Sequence, residues 1–137
     1  HFIRGFFDGD GSVFLNHNGK YTSVRCNICS PTKSILEQIN FVLLNNGIKG
    51  TINKENRKGK YTTFGENNRI LCSVDMFRLF VRSKMAVEQF YHFLYDQSSI
   101  YLERKRKVFE NNMSAFIYQK PRKAYANTEL TNQIAQG

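Results

Sequence analysis

Asp8-Gly9-Asp10-Gly11 is the stretch of this chain best equipped for chemistry. Two carboxylates separated by one glycine follow the apolar run His1-Phe2-Ile3-Arg4-Gly5-Phe6-Phe7, which reads as a short helix stopped by Gly11. The C-terminal end of a helix carries partial negative charge, so paired acids there call for a cation or hydrogen-bond donors. Hard oxygen ligands of this kind suit Mg²⁺. An EF-hand loop is excluded, because the bidentate Glu required at its last position falls on Gly19. Asp-Gly is also an ordinary turn pair. Spacing alone therefore leaves a metal ligand and a structural turn both open.

The elements that must position these acids follow in order. Ser12 to His17 and Lys20 to Cys29 are extended runs joined by Asn18-Gly19, a strong hairpin signal. Ser30-Pro31 starts a helix in which Ile35, Leu36, Ile39, Val42 and Leu43 recur at helical spacing, ended by Asn46-Gly47. A second β region spans Ile48 to Arg82, with one strand at Thr51 to Lys54 and a last one whose inward face is Phe77, Leu79 and Val81. Its Gly-, Asn- and Lys-rich middle, Asn56 to Asn68, leaves the hairpin layout open. Ser83 begins a helix with Ala86, Val87, Phe90, Tyr91 and Leu94 on one stripe, and a further helix covers about Ser98 to Asn112. The expected architecture is α+β, with helices on one face of an antiparallel sheet. Residues 1–112 form the domain, and residues 113–137 a polar extension or linker. Beginning in mid-element suggests that a segment precedes this one in the natural protein.

Lys and Arg number 20 against 11 Asp and Glu, a net charge of +9 and a pI near 9.6. A small domain with that excess usually meets a polyanion, most often nucleic acid. No apolar run approaches the roughly 18 residues that span a bilayer, and no leader pattern points to secretion, so an intracellular protein without membrane association is expected. Three cysteines make no even disulfide set. Cys26-x-x-Cys29 has zinc-ligand spacing but lies in a strand without a second ligand pair, which favours structural thiols. The histidines are scattered, and neither a phosphate loop nor a nucleophile elbow occurs.

Ile3-Arg4-Gly5-Phe6-Phe7-Asp8-Gly9-Asp10-Gly11 resembles the motif of the LAGLIDADG homing endonucleases. Gly5, both acids and Gly11 match, Arg4 replaces a small residue, and Phe6 and Phe7 are bulkier than Leu and Ile. A second patch, Phe93-Leu94-Tyr95 through Tyr101-Leu102-x-Arg104-Lys105, is similar to the tail of many members. The resemblance covers roughly residues 1–110 and implies an αββαββα fold on a curved antiparallel sheet. It also implies a site-specific DNA endonuclease that makes double-strand breaks in a long recognition site with Mg²⁺, Mn²⁺ being the expected substitute. With one motif copy, a homodimer on double-stranded DNA is implied; half of a longer two-motif chain is the alternative. A non-cleaving DNA-binding regulator and an RNA maturase on the same fold are the competing functions.

The same resemblance suggests residue roles. Gly5, Phe6, Asp8 and Gly9 would lie at the dimer interface, and Asp10 with the Gly9 carbonyl would hold the metal. Lys84 would be the basic residue beside it, near Arg82, with the run Arg104 to Lys107 as another source. The outward sheet face carries Ser23, Arg25, Asn27, Arg78 and Arg82; Arg and Asn suit guanine and adenine edges. Lys20, Lys54, Arg57, Lys58 and Lys60, near turns, and Lys105 in the basic run are phosphate-contact candidates. An ordinary solvated face is the competing reading for each.

Overall fold

The computed structural model describes residues 1–19 and 21–118, with side chains as far as Asn112. Ten elements occur in the order α1 (Phe2–Asp10), β1 (Gly11–Asn18), β2 (Tyr21–Ser30), α2 (Lys33–Asn45), β3 (Thr51–Glu55), β4 (Tyr61–Phe64), β5 (Asn68–Leu71), β6 (Met76–Val81), α3 (Lys84–Tyr95) and α4 (Glu103–Tyr118). Strands β1-β2-β6-β3 make one four-stranded sheet, antiparallel throughout, and β4-β5 make a separate hairpin. The expected αββαββα order is thus present, with β4-β5 added between the last two sheet strands and a fourth helix after them.

Period-two alternation decides the faces of the sheet. Val24, Cys26 and Ile28 of β2 and Leu79 and Val81 of β6 are buried beneath the helices, with Phe77 packed at their edge. The helices contribute Phe7, Leu36, Ile39, Leu43, Val87, Phe90, Leu94 and Phe109 to the same core. Cys26 lies in it, and burial pushes its thiol pKa up, while Cys29 alternates to the other face. No described helix is long and apolar enough to cross a membrane.

Several boundaries differ from the sequence expectation for local reasons. Ser30 ends β2, and its hydroxyl accepts the Thr32 N–H (3.1 Å); it does not cap α2, which starts at Lys33. Ser83 does cap α3, accepting the Ala86 N–H at 3.2 Å. Asn18 pairs with Tyr21, so the tight turn falls one residue later than expected, with Gly19 at φ 59° where glycine is favoured. The final helix begins at Glu103, not near Ser98, and continues past Asn112 to Tyr118. Most of the proposed 113–137 extension, residues 119–137, lies outside the described residues, as does Lys20.

The undecided middle resolves into the β4-β5 hairpin, all eight of whose strand residues are exposed. Its base is tied by the Gly59 N–H to the Cys72 carbonyl (2.9 Å) and the Cys72 N–H to the Lys60 carbonyl (2.8 Å). A strand with no buried side has no periodic apolar face to announce it, which is why alternation did not reveal this hairpin.

Candidate active site and nucleic-acid interface

α1 is anchored by Ile3 and Phe7, one turn apart and both buried. The opposite side of the helix presents Phe2, Gly5 and Gly9 to solvent, and a Cβ built at either glycine would meet nothing within 4 Å. The chain then passes directly into β1. Gly11 ends the helix as expected, with ordinary extended backbone (φ −88°, ψ 162°), and donates its N–H to the Phe7 carbonyl. Glycine is required there by close approach: a Cβ would strike the Phe7 ring and carbonyl.

The cation that the acidic helix end calls for is Lys105. Only 4% exposed, it donates from its ammonium to the carbonyls of Phe7 (2.6 Å), Asp8 (2.8 Å) and Gly11, using all three of its hydrogens. The ammonium also lies 5.0 Å from the centre of the Phe7 ring. Burial lowers its pKa, as does neighbouring Arg104, and Asp8 and Asp10 only partly offset this. Lys105 is therefore not available for the phosphate contact expected of it. Its charge is committed to the end of α1. Lys84, the basic residue expected beside the metal, is the first residue of α3. One sequence signal could have found Lys105: within the run Arg104 to Lys107, it alone continues a four-residue stripe between Tyr101 and Phe109.

The two acids have different surroundings. Asp8 is half-buried; its Oδ2 accepts the Leu102 N–H at 2.9 Å and its Oδ1 the Tyr95 hydroxyl at 3.4 Å. It thereby ties α1 to the connection between α3 and α4, and burial together with the Asp8 carboxylate pushes the Tyr95 hydroxyl pKa up. Asp10 is exposed. Beside it, Gly11, Ser12, Val13, Arg104, Lys105 and Val108 line a shallow cleft. Among the described residues, no three His, Cys, Asp or Glu side chains gather as a metal cluster. Asp10 is thus, among the described residues, an open hard-oxygen donor beside a fixed cation, and carboxylate oxygen suits a divalent ion such as Mg²⁺.

The outward sheet face is where alternation put it. Ser23, Arg25 and Asn27 of β2 point away from Val24, Cys26 and Ile28, as Arg78 of β6, and Arg82 just beyond it, point away from Leu79 and Val81. These side chains are not all independent. Arg78 donates its Nη1 to Asn27 Oδ1 (3.3 Å) and its Nε and Nη2 to the two oxygens of Glu55, the latter at 3.3 Å. Arg57 donates to the same Glu55 at 2.8 Å. Arg82 stacks over Phe80, 4.1 Å from the ring centre, and the Nε of Arg25 is buried with no hydrogen-bond partner. Lys54 departs from expectation: it lies opposite Phe77, on the helix side of β3, and pairs with Asp75 at 3.4 Å. The Lys58 N–H also goes to Asp75 (3.0 Å); that contact and Lys54 hold the Asp75 carboxyl below its usual pKa. Glu55, Asp75 and Phe80 were missed by sequence reading, because nothing in a strand pattern says which acid will meet which arginine.

The fold matches solved structures of DNA endonucleases. An archaeal intron-encoded homing endonuclease, I-Vdi141I, complexed with DNA, superposes with a TM-score of 0.56 at 19% identity over 83% of this chain and 64% of that one. A LAGLIDADG meganuclease, I-AabMI, bound to uncleaved DNA gives 0.56 at 17% identity over 85% of this chain and 35% of the other. In sequence, the ATP-dependent DNA helicase Hel308 of Methanocaldococcus jannaschii is 30% identical over 109 residues, which are 79% of this chain and 8% of that protein. The chain thus spans a small part of its curated relative and about two thirds or less of these solved chains. The family model for the LAGLIDADG-like domain matches residues 1–94, and the chain belongs to that family.

Proposed function

We propose that this chain is a divalent-metal-dependent DNA endonuclease that acts as a symmetric homodimer and makes double-strand breaks in a long site. The observation that carries the reading is the exposed Asp10 carboxylate, set at the end of α1 beside the buried Lys105 ammonium and next to a helix face left open at Gly5 and Gly9. A second copy crossing at Gly5 and Gly9, with Phe6 at the margin, would bring two Asp10 carboxylates together. Two motifs in one longer chain would do the same.

Asp10 and the Gly9 carbonyl are the residues proposed to hold Mg²⁺, with Mn²⁺ as substitute. When bound, such an ion supplies charge neutralisation at the scissile phosphate and lowers the pKa of coordinated water. Lys105 fixes the carbonyls that end α1 and so positions Asp10. Asp8, tied to Leu102 and Tyr95, sets the direction in which α1 leaves the domain.

The outward sheet face is the proposed DNA surface. The DNA-bound neighbours and the net charge of +9 support this. So does size: the ten residues of β2 span about 33 Å, close to one turn of B-DNA, and a major groove admits a two-stranded ribbon such as β1-β2. Ser23, Arg25, Arg78 and Arg82 face the bases in this arrangement, with the buried Asn27, also a base-contact candidate by sequence, behind Arg78. Arg57, Lys58 and Lys60 lie towards the backbone.

The test is incubation of the purified chain with a randomised duplex library in Mg²⁺ or in EDTA, followed by sequencing of new ends. Cuts at recurrent sequences in Mg²⁺ alone are the expected result. Tight binding without cleavage in Mg²⁺ or Mn²⁺ would leave a DNA-binding regulator, and preferential binding of structured RNA would leave a maturase.

A further inference from the structure

Glu55 stands where an acid ought to be a liability. It ends β3 on the outward sheet face of a chain carrying +9, and any polyanion docking there meets its charge. Its two oxygens are nonetheless fully engaged: Oε1 accepts Arg78 Nε, and Oε2 accepts Arg78 Nη2 at 3.3 Å and Arg57 Nε at 2.8 Å. These contacts hold its carboxyl below the usual pKa despite burial, so it stays charged. With both oxygens committed, Glu55 is poorly placed to accept from a cytosine amino group itself.

The effect falls on Arg78. A guanidinium has five N–H donors in a fixed fork. Glu55 takes the Nε–Nη2 edge, and Asn27, held at 3% exposure, takes one hydrogen of Nη1 at 3.3 Å. Two donors remain, one on each terminal nitrogen. Guanine presents two adjacent acceptors, O6 and N7, in the major groove. A free arginine can swing to a phosphate or to any acceptor within reach; one held by three hydrogen bonds from two sides cannot, and its ordering cost is met before DNA arrives.

We propose that Glu55 is a specificity-determining positioning residue: by clamping Arg78 against Asn27, it turns a general cation into a reader of one guanine per half-site. The inference rests on the proposed DNA role of this sheet face. It makes Glu55 a source of selectivity and not of affinity, because removing its charge lowers repulsion of the backbone.

The experiment selects bound duplexes from a randomised library, in EDTA so that cutting does not compete, with the full chain as wild type, Glu55→Gln, Arg78→Ala and Arg57→Ala. Melting temperatures are recorded for all four. The wild-type pool should carry a guanine preference at one base pair, and Arg78→Ala should abolish it. Glu55→Gln should reduce it on the order of tenfold while total affinity holds or rises and other positions keep their preferences. Arg57→Ala should lower total affinity, as loss of a backbone contact does, but keep the guanine preference, since the Arg78–Glu55 fork survives. Should Glu55→Gln melt early, Asn27→Ser carries the same expectation at smaller size. A Glu55→Gln pool with undiminished guanine preference, or with preferences weakened evenly at every position, overturns the proposal but not the DNA reading. A wild-type pool without any enriched sequence overturns both.

Discussion

Lys105→Met removes the ammonium that closes the end of α1 while keeping a side chain of similar length. In the native protein, that ammonium satisfies the Phe7, Asp8 and Gly11 carbonyls from a position 4% exposed. Hydrogen bonds to charged groups contribute about 1.5–3 kcal/mol each, and taking one partner from a buried charged cluster costs about 3–5 kcal/mol. Against this, the variant no longer has to strip water from a cation, a cost already visible in the lowered lysine pKa. The thioether also still covers the Phe7 ring. A net loss of about 2–4 kcal/mol follows. For a domain of this size that is a fall of roughly 6–15 °C in melting temperature. Urea unfolding followed by circular dichroism should show the midpoint shifted with the slope unchanged. Lys107→Met is the control on the same helix: Lys107 is 60% exposed and pairs with Glu103 at the surface, so no measurable change is expected. A Lys105→Met protein within about 0.5 kcal/mol of wild type would refute the reasoning, since surface substitutions alone reach that size.

Gly5→Leu should leave the fold as stable as before, or slightly more so, because leucine is the better helix former and nothing lies within 4 Å of the new Cβ. The same variant should weaken the proposed dimer, measured as a shift towards monomer in analytical ultracentrifugation; unchanged association would remove α1 from the interface. Gly11→Ala should cost about 1–3 kcal/mol in urea unfolding, because the methyl meets the buried Phe7 ring and carbonyl; a neutral result would mean that α1 can rotate freely at its end. Glu55 has a lowered folded pKa, so its stabilising contribution is present above the ordinary value near 4.5 and lost as pH falls through the lower folded value. Wild type should exceed Glu55→Gln by on the order of 1 kcal/mol at pH 7, a difference that disappears in acid. A gap independent of pH would contradict the ion pair.

The residues legible from sequence are those whose neighbours are near in the chain. Phe77, Leu79 and Val81 showed their face through alternation, and Ala86, Val87, Phe90 and Leu94 through helical spacing, and they lie where expected. Asp8 and Asp10 stand out by type and spacing, which leave a metal ligand and a turn both open, and Gly5 stands out by resemblance. What stayed hidden depends on partners brought together over long separations. Lys105 meets Phe7 from 98 residues away, and Arg78 meets Asn27 from 51. In sequence, Lys105 is one of four consecutive basic residues, marked only by its spacing from Tyr101 and Phe109, and its carbonyl partners come within reach once α4 packs on β1 and β2. Lys54 was misplaced for a related reason: turn proximity was read, but the pairing of β3 with β6 decides its face.

The most direct measurement of the central claim compares wild type with Asp10→Asn on a selected duplex, scoring both cleavage in Mg²⁺ and binding in EDTA. Asn keeps the volume of Asp and removes its charge, and Asp10 is exposed, so the fold should be unaffected. The expected result is sequence-selective double-strand cutting by wild type, and loss of cutting by Asp10→Asn with binding retained. Undiminished cleavage by Asp10→Asn would contradict the assignment of Asp10 as the metal-holding carboxylate of a nuclease.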